Sequence, residues 1–268
     1  MNNTPGAVYY AVNTDMRYLV YILNSIKSLR KYNKKIKVYL FIYGDTSAIN
    51  LSFFHQNNII IINKTSVNEE YLTSLKWLSL PELSEIDETK LIFVDADTAF
   101  FQDVELLFKN YHQYDFYARE EAGTSSDKVR SSIGKIHIKH TIDQKIYRFL
   151  CKAYKIESAP FFNTGVMVFN NNFFKKIPAY LGFYDSVLRN FAEKKTPYPS
   201  INTHMVEEVV TTLMLGKIKN YTYQYIDKTF SPFFLEYKEK VVHDPGVVMH
   251  IWGYFYQEFL DTFPDFKK

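Results

Sequence analysis

Short runs of β-branched and aromatic residues alternate with longer amphipathic stretches along the first third of the chain. Residues 8–12 form the first run and stop at the polar triplet Asn13-Thr14-Asp15, which predicts a strand followed by a turn. Leu19, Ile22, Leu23, Ile26 and Leu29 then keep the spacing of a single buried helix face. Residues 38–43 (VYLFIY) read as a second strand, closed by Gly44-Asp45, and residues 59–62 as a third. A helix is expected over residues 69–83, with Pro81 marking its end. Residues 91–94 (LIFV) are apolar without interruption, the pattern of a strand covered on both faces of a parallel sheet.

This alternation predicts an α/β fold, a doubly wound, mostly parallel central sheet flanked by helices. In such sheets ligands bind beyond the carboxyl ends of the strands. Two polar clusters, Asn13-Thr14-Asp15 and Asp95-Ala96-Asp97, fall at such ends. The stretch at about 119–160 behaves differently, with a loop at 124–127 and then an amphipathic helix carrying Ile142, Ile146, Phe149, Leu150 and Ala153. It holds more basic than acidic residues and reads as an inserted flap within one domain spanning 1–268. A polar turn at Asn163 precedes a strand over 164–169, helical patterns return at 173–191 and 205–215, and a last apolar run at 247–249 delivers His250.

Composition narrows the function classes. With 268 residues the chain can bury a large core, and 32 Lys+Arg against 29 Asp+Glu remove the simplest argument for nucleic-acid binding. One cysteine, Cys151, excludes a multi-cysteine zinc site and fits a reducing, cytoplasmic setting; it is expected to be buried and inert. No run reaches the roughly 18 apolar residues of a membrane span. His137-x-x-His140 lacks the glutamate of a zinc hydrolase motif and reads as a solvated surface pair.

Asp95-Ala96-Asp97 carries the sharpest chemistry. In extended chain, residues two apart share a side, so both carboxylates can face one point. Two hard oxygen donors at a strand end suit Mg²⁺ or Mn²⁺, which keep open positions for phosphate oxygens. Glu207-Glu208 are adjacent on a predicted helix and point about 100° apart, so one of them is expected to face the site.

LIFVDADTAFF (91–101), FFNTGVMVFN (161–170), VYYAVNTDMRY (8–18) and MHIWG (249–253) together resemble a GT-A-fold nucleotide-sugar glycosyltransferase, closest to glycosyltransferase family 8 and the glycogenin-like enzymes. The resemblance implies a UDP-sugar donor and a divalent metal, Mn²⁺ or Mg²⁺, held by Asp95, Asp97 and His250. It places Asn13, Thr14, Asp15 and Tyr18 at the nucleoside, Ala96 and Gly253 beside the diphosphate, and Asn163 and Gly165 near the donor sugar. Glu207 or Glu208 corresponds to the family's acid near the reacting carbon, and Lys76 to a basic residue that meets a phosphate or an acid of the metal loop. The implied reaction moves a hexose onto an acceptor hydroxyl with retention of configuration. The acceptor (glycan, lipid, protein or small molecule) is not identified by any of these residues, and a peripheral contact with anionic lipid stays open for the basic flap. Family 8 has a lysine three residues after His-x-x-Gly that contacts the diphosphate, where this chain has Tyr256. Two alternatives remain: a GT-A-like nucleotidyltransferase, although its Gly-rich phosphate loop is missing, and a non-catalytic nucleotide-sugar-binding protein.

Overall fold

The computed structural model describes residues 6–120, 144–156, 162–193, 195 and 206–267. Most of the expected flap, including the loop at 124–127, Ile142 and the His137/His140 pair, lies outside the described residues.

Four parallel strands build the first half of the sheet: β1 (Gly6–Asn13), β2 (Lys37–Tyr43), β3 (Ile59–Lys64) and β4 (Lys90–Val94). Between them run α1 (Met16–Tyr32), α2 (Ser52–Gln56), α3 (Leu75–Leu78) and α4 (Leu80–Leu83). A short β5 (Thr98–Phe100) and α5 (Glu105–Asn110) lead to β6 (Phe116–Glu120). Then come α6 (Gln144–Ala153), β7 (Phe162–Phe169), α7 (Leu181–Ala192), α8 (Val206–Lys217), β8 (Tyr223–Tyr225), α9 (Phe234–Lys238), β9 (Val248–His250) and α10 (Tyr256–Thr262). Among the described residues the main sheet has seven strands in the order β3-β2-β1-β4-β7-β6-β8, while β5 and β9 form a separate two-stranded ribbon. Only the β4–β7 and β7–β6 pairs in the main sheet are antiparallel, so the sheet is mostly parallel, as the apolar runs predict.

Cores form on both faces of the sheet because alternate residues of each central strand point to opposite sides. Tyr9, Phe41, Phe93 and Met167 pack on one face with α8 and α7; Val8, Leu40, Ile92 and Val168 pack on the other with α1. On α1 the spaced Leu19, Ile22, Ile26 and Leu29 are all buried. Cys151 is buried as well.

Three local expectations are corrected. Residues 69–83 do not form one helix: a 3-10 segment (Glu69–Ser74) is followed by α3 and α4, and Pro81 lies in the first turn of α4. Proline has no N–H to lose there, so it starts a turn as readily as it ends one. The helix expected over 173–191 begins as a 3-10 segment (Phe173–Tyr180) containing Pro178 and becomes α-helical only at Leu181. Asn163 is not in a turn but inside β7, whose every residue is buried. No helix among the described residues is long and apolar enough to cross a membrane.

Candidate functional site

β1 and β4 are neighbours in the sheet, so the turn after Asn13 and the loop after Val94 leave its carboxyl edge side by side. The first turn is organised from within. Asn13 Oδ1 accepts from the Asp15 N–H at 3.1 Å, and Asp15 caps α1 by accepting from Arg17 N at 2.9 Å. The Arg17 guanidinium also pairs with Asp15 at 2.7 Å and holds its carboxyl below the usual range. Thr14 packs against Gly44, where a Cβ would stand 2.7 Å from the Thr14 hydroxyl. Tyr18 stands exposed in the first turn of α1; partial burial, then the charge of Asp97, raises its phenol, which places it within electrostatic reach of the acids.

In the second loop, Asp95 and Asp97 turn to one side and the Ala96 side chain turns into the core. The loop is pinned by Asp95 N donating to Gly165 O at 2.8 Å and by the Thr98 hydroxyl donating to Asp95 O at 2.8 Å. Opposite it, β9 pairs with β5 so that His250 aligns with Thr98. His250 Nε2 lies 3.5 Å from Asp97 Oδ1 and 3.7 Å from Asp95 Oδ2. One ligand atom from each of the three residues falls within 4.8 Å of the others, so the group can hold a metal ion. Two carboxylates and one imidazole also fit Mn²⁺ or Mg²⁺ by donor type.

Asn163 and Gly165 act on His250. Asn163 Oδ1 accepts the Gly165 N–H at 3.0 Å and lies 3.2 Å from His250 Nδ1. With Nδ1–H donating to that oxygen, the Nε2 lone pair would be left for the acids' side. A Cβ on Gly165 would come within 2.2 Å of the imidazole. The glycine thus makes room for the histidine ring.

Burial alone would lower His250, but the hydrogen bond and charge of Asp97, with Asp95 behind them, raise it above its ordinary 6.5. Burial would raise Asp97, yet His250 and the backbone N–H groups of Asp97 and Gly253 hold it low. A proton and a metal ion compete for Nε2. Metal affinity is therefore expected to climb as pH rises through the histidine range. The stability that the His250–Asp97 pair contributes has the opposite sign: present in full below 6.5, it is lost as pH passes the raised value in the folded protein. Calorimetric titration with Mn²⁺ at stepped pH, beside thermal unfolding without metal, reads both slopes.

Behind the acids lies a buried charged network. Lys76, on α3, donates to the Thr164 hydroxyl at 2.9 Å and carbonyl at 3.2 Å, and its Nζ lies 3.3 Å from Asp95 and 3.5 Å from Glu207. Burial works against its charge, but Asp95 and Glu207, then Glu208, outweigh it and raise its value. Lys76 thus touches Asp95, an acid of the loop after β4. Glu207 accepts from Trp77 Nε1 at 2.7 Å, Thr164 Oγ1 at 2.6 Å and Thr211 Oγ1 at 2.8 Å. Its neighbour Glu208 is less buried and acts on Lys76 through its charge. Trp77, Thr164 and Thr211 escape the sequence reading, although Thr211 follows Glu207 by four residues, the spacing at which helical side chains meet. Tyr256, at the position of the family lysine, is buried; Asn24 Nδ2 donates to its hydroxyl at 2.8 Å and its ring lies 4.1 Å from that of Tyr21. Gly253 is exposed, with its carbonyl near the Tyr21 hydroxyl.

No protein-family model matches the sequence, and no curated protein matches it. Solved structures do. The galactosyltransferase LgtC in complex with donor and acceptor sugar analogs is 11% identical with a TM-score of 0.57, covering 96% of this chain and 95% of LgtC. The glycosyltransferase GlyE of Streptococcus pneumoniae TIGR4 is 13% identical with a TM-score of 0.52 over 94% of this chain, which spans 60% of GlyE. Mouse xyloside xylosyltransferase 1 is 9% identical with a TM-score of 0.51, covering 92% of this chain and 98% of that enzyme. These likenesses show the fold: the chain has the GT-A fold of glycosyltransferases.

Proposed function

We propose that the chain is a metal-dependent glycosyltransferase that moves a hexose from a UDP-sugar to an acceptor hydroxyl. The observation that carries this reading is the convergence of Asp95, Asp97 and His250 at the carboxyl edge of a GT-A sheet. Asp95, Asp97 and His250 would hold Mn²⁺ or Mg²⁺, which supplies positive charge against the diphosphate as the glycosidic bond breaks. The chain's own groups do the rest. Asn163 orients His250, and Lys76 balances part of the acidic charge. Asn13, Thr14 and Asp15 offer polar atoms to uracil and ribose at the neighbouring strand end, with Tyr18 beside them as a stacking ring. Glu207 is held by three neutral donors and Lys76, which makes it the anchor of the site. Glu208, less buried and one residue on, is the acid left to face the sugar. The family likeness favours retention of configuration.

UDP release from a panel of UDP-sugars, with Mn²⁺ or with EDTA, tests the reading without knowledge of the acceptor. The expected result is slow, Mn²⁺-dependent donor hydrolysis with at least one sugar, lost in His250→Ala. Binding of UDP and metal without release, even when candidate acceptors are added, would favour the non-catalytic alternative, and Tyr256 in place of a lysine is the residue that speaks for it. Absence of UDP and metal binding would sink the proposal.

A further inference from the structure

His250 reaches the acids from a two-stranded ribbon outside the main sheet, and the groups behind it have no part in the chemistry proposed above. We infer that the buried Arg119–Glu236 ion pair is a positioning device, acting through Phe233 and Trp252 to set the His250 imidazole for metal binding. This rests on the metal-site reading of Asp95, Asp97 and His250.

Arg119 lies near the end of β6, at the point where a bulge shifts its pairing with β7 and aligns it with Asn163. Its Nη2 donates to both carboxylate oxygens of Glu236, at 2.9 and 3.0 Å, and the two side chains are 9% and 5% exposed. The guanidinium also sits over the Phe233 ring, 4.9 Å from its centroid. Glu236 in turn accepts the Phe233 N–H at 2.9 Å, closing the first turn of α9. One carboxylate therefore fixes the backbone of Phe233 and, through the arginine, the cation stacked on its ring.

Phe233 carries that constraint to the ligand. Its ring stacks on Trp252 at 4.8 Å and 27°, and lies 5.9 Å from the His250 ring. Their backbones are bridged, and the His250 N–H donates to Pro232 O at 3.0 Å. Trp252 has φ 57°, a left-handed backbone that a bulky residue holds only when its surroundings impose it. The stack on Phe233 is one of the contacts that surround it, two residues beyond the ligand, beside the rings of His250 and Phe255. With Gly165 and Asn163 already touching the imidazole, Phe233 adds a further wall and limits where Nε2 can point.

A buried ion pair gives little net stability over apolar packing of the same volume. What this pair provides is direction, because Nη2 is held between both oxygens of one carboxylate while Nη1 reaches the Ile226 carbonyl at 3.4 Å. That distinction supplies the test. In the full chain, the double variant Arg119→Met/Glu236→Leu replaces both charges by apolar side chains, so it should fold while the link to Phe233 is gone. Mn²⁺ affinity, read by the EPR signal of free Mn²⁺, is expected to weaken about tenfold, the size seen when groups behind a metal ligand are removed. Phe233→Leu should weaken it similarly. Should the double variant fail to fold, Glu236→Gln, which keeps the shape and one acceptor for the Phe233 N–H, takes its place with a several-fold loss expected. A folded variant with wild-type Mn²⁺ affinity, whatever its Tm, would show a merely structural pair and overturn the inference. Wild-type protein that binds no Mn²⁺, with or without UDP, would instead overturn the metal reading and the inference together, and the two failures are told apart by the wild type alone.

Discussion

Replacing Asp97 by asparagine is expected to lower Mn²⁺-dependent UDP release about a thousandfold, or ~4 kcal/mol of transition-state stabilisation. Asparagine keeps the shape and still accepts hydrogen bonds, so the fold should survive, with stability lowered only by what the His250–Asp97 pair contributes. The charge is what disappears. Asp97 is the acid nearest His250 and the first source of its raised value, and it is itself held ionised by the histidine and by backbone N–H groups. Without it the candidate metal site loses one of two anionic donors, and the positive charge that would stabilise the departing diphosphate is held less firmly. UDP release and Mn²⁺ affinity measured on the same preparation decide the matter. If both match wild type, Asp97 is no ligand.

Lys76→Met is expected to cost about 3–5 kcal/mol of stability, the size found when one partner of a buried ion pair is removed. The side chain is 6% exposed, and its ammonium lies 3.3 Å from Asp95 and 3.5 Å from Glu207. Its removal leaves Glu207 buried on its three neutral donors alone and takes from Asp95 the nearer of its two basic neighbours, Lys76 and His250. The double variant Lys76→Met/Glu207→Gln removes charge on both sides and should recover a substantial part of the loss. Urea unfolding of wild type, both single variants and the double variant gives the coupling directly. Additive losses would mean that the lysine acts through packing on Phe93, 4.8 Å from its Nζ, and not through charge.

Several elements of the site were legible in the sequence because their signals are local. LIFV followed by Asp-Ala-Asp announces a buried strand ending in two acids; Val94 is buried, and Asp95 and Asp97 come together although residues 96 and 97 form a turn and not extended chain. The helix spacing of Leu19 to Leu29 predicted the buried face of α1, and the polar triplet after residue 12 marked its capped start. Where two local rules compete, the sequence misled. Pro81 reads equally as the end of one helix or the beginning of the next, and Asn163-Thr164-Gly165 has turn-forming residues at a place that the β4 and β6 ladders hold extended.

Residue types and spacing determined by themselves the α/β class, the strand ends that carry polar clusters, and the paired acids Asp95 and Asp97, while His250 entered as a ligand only through the resemblance to a glycosyltransferase family. Periodicity and donor chemistry are properties of neighbours along the chain, and they need no fold to be read. Only the tertiary structure decided that Gly165 yields its side-chain volume to His250, that Glu207 is tied down by Trp77, Thr164, Thr211 and Lys76, and that Arg119 reaches Glu236. Those pairs are separated by 85, 130, 43, 4, 131 and 117 positions along the chain. All but one join elements distant in sequence, and a contact that arises when separate strands and helices pack leaves no period in the residues that make it.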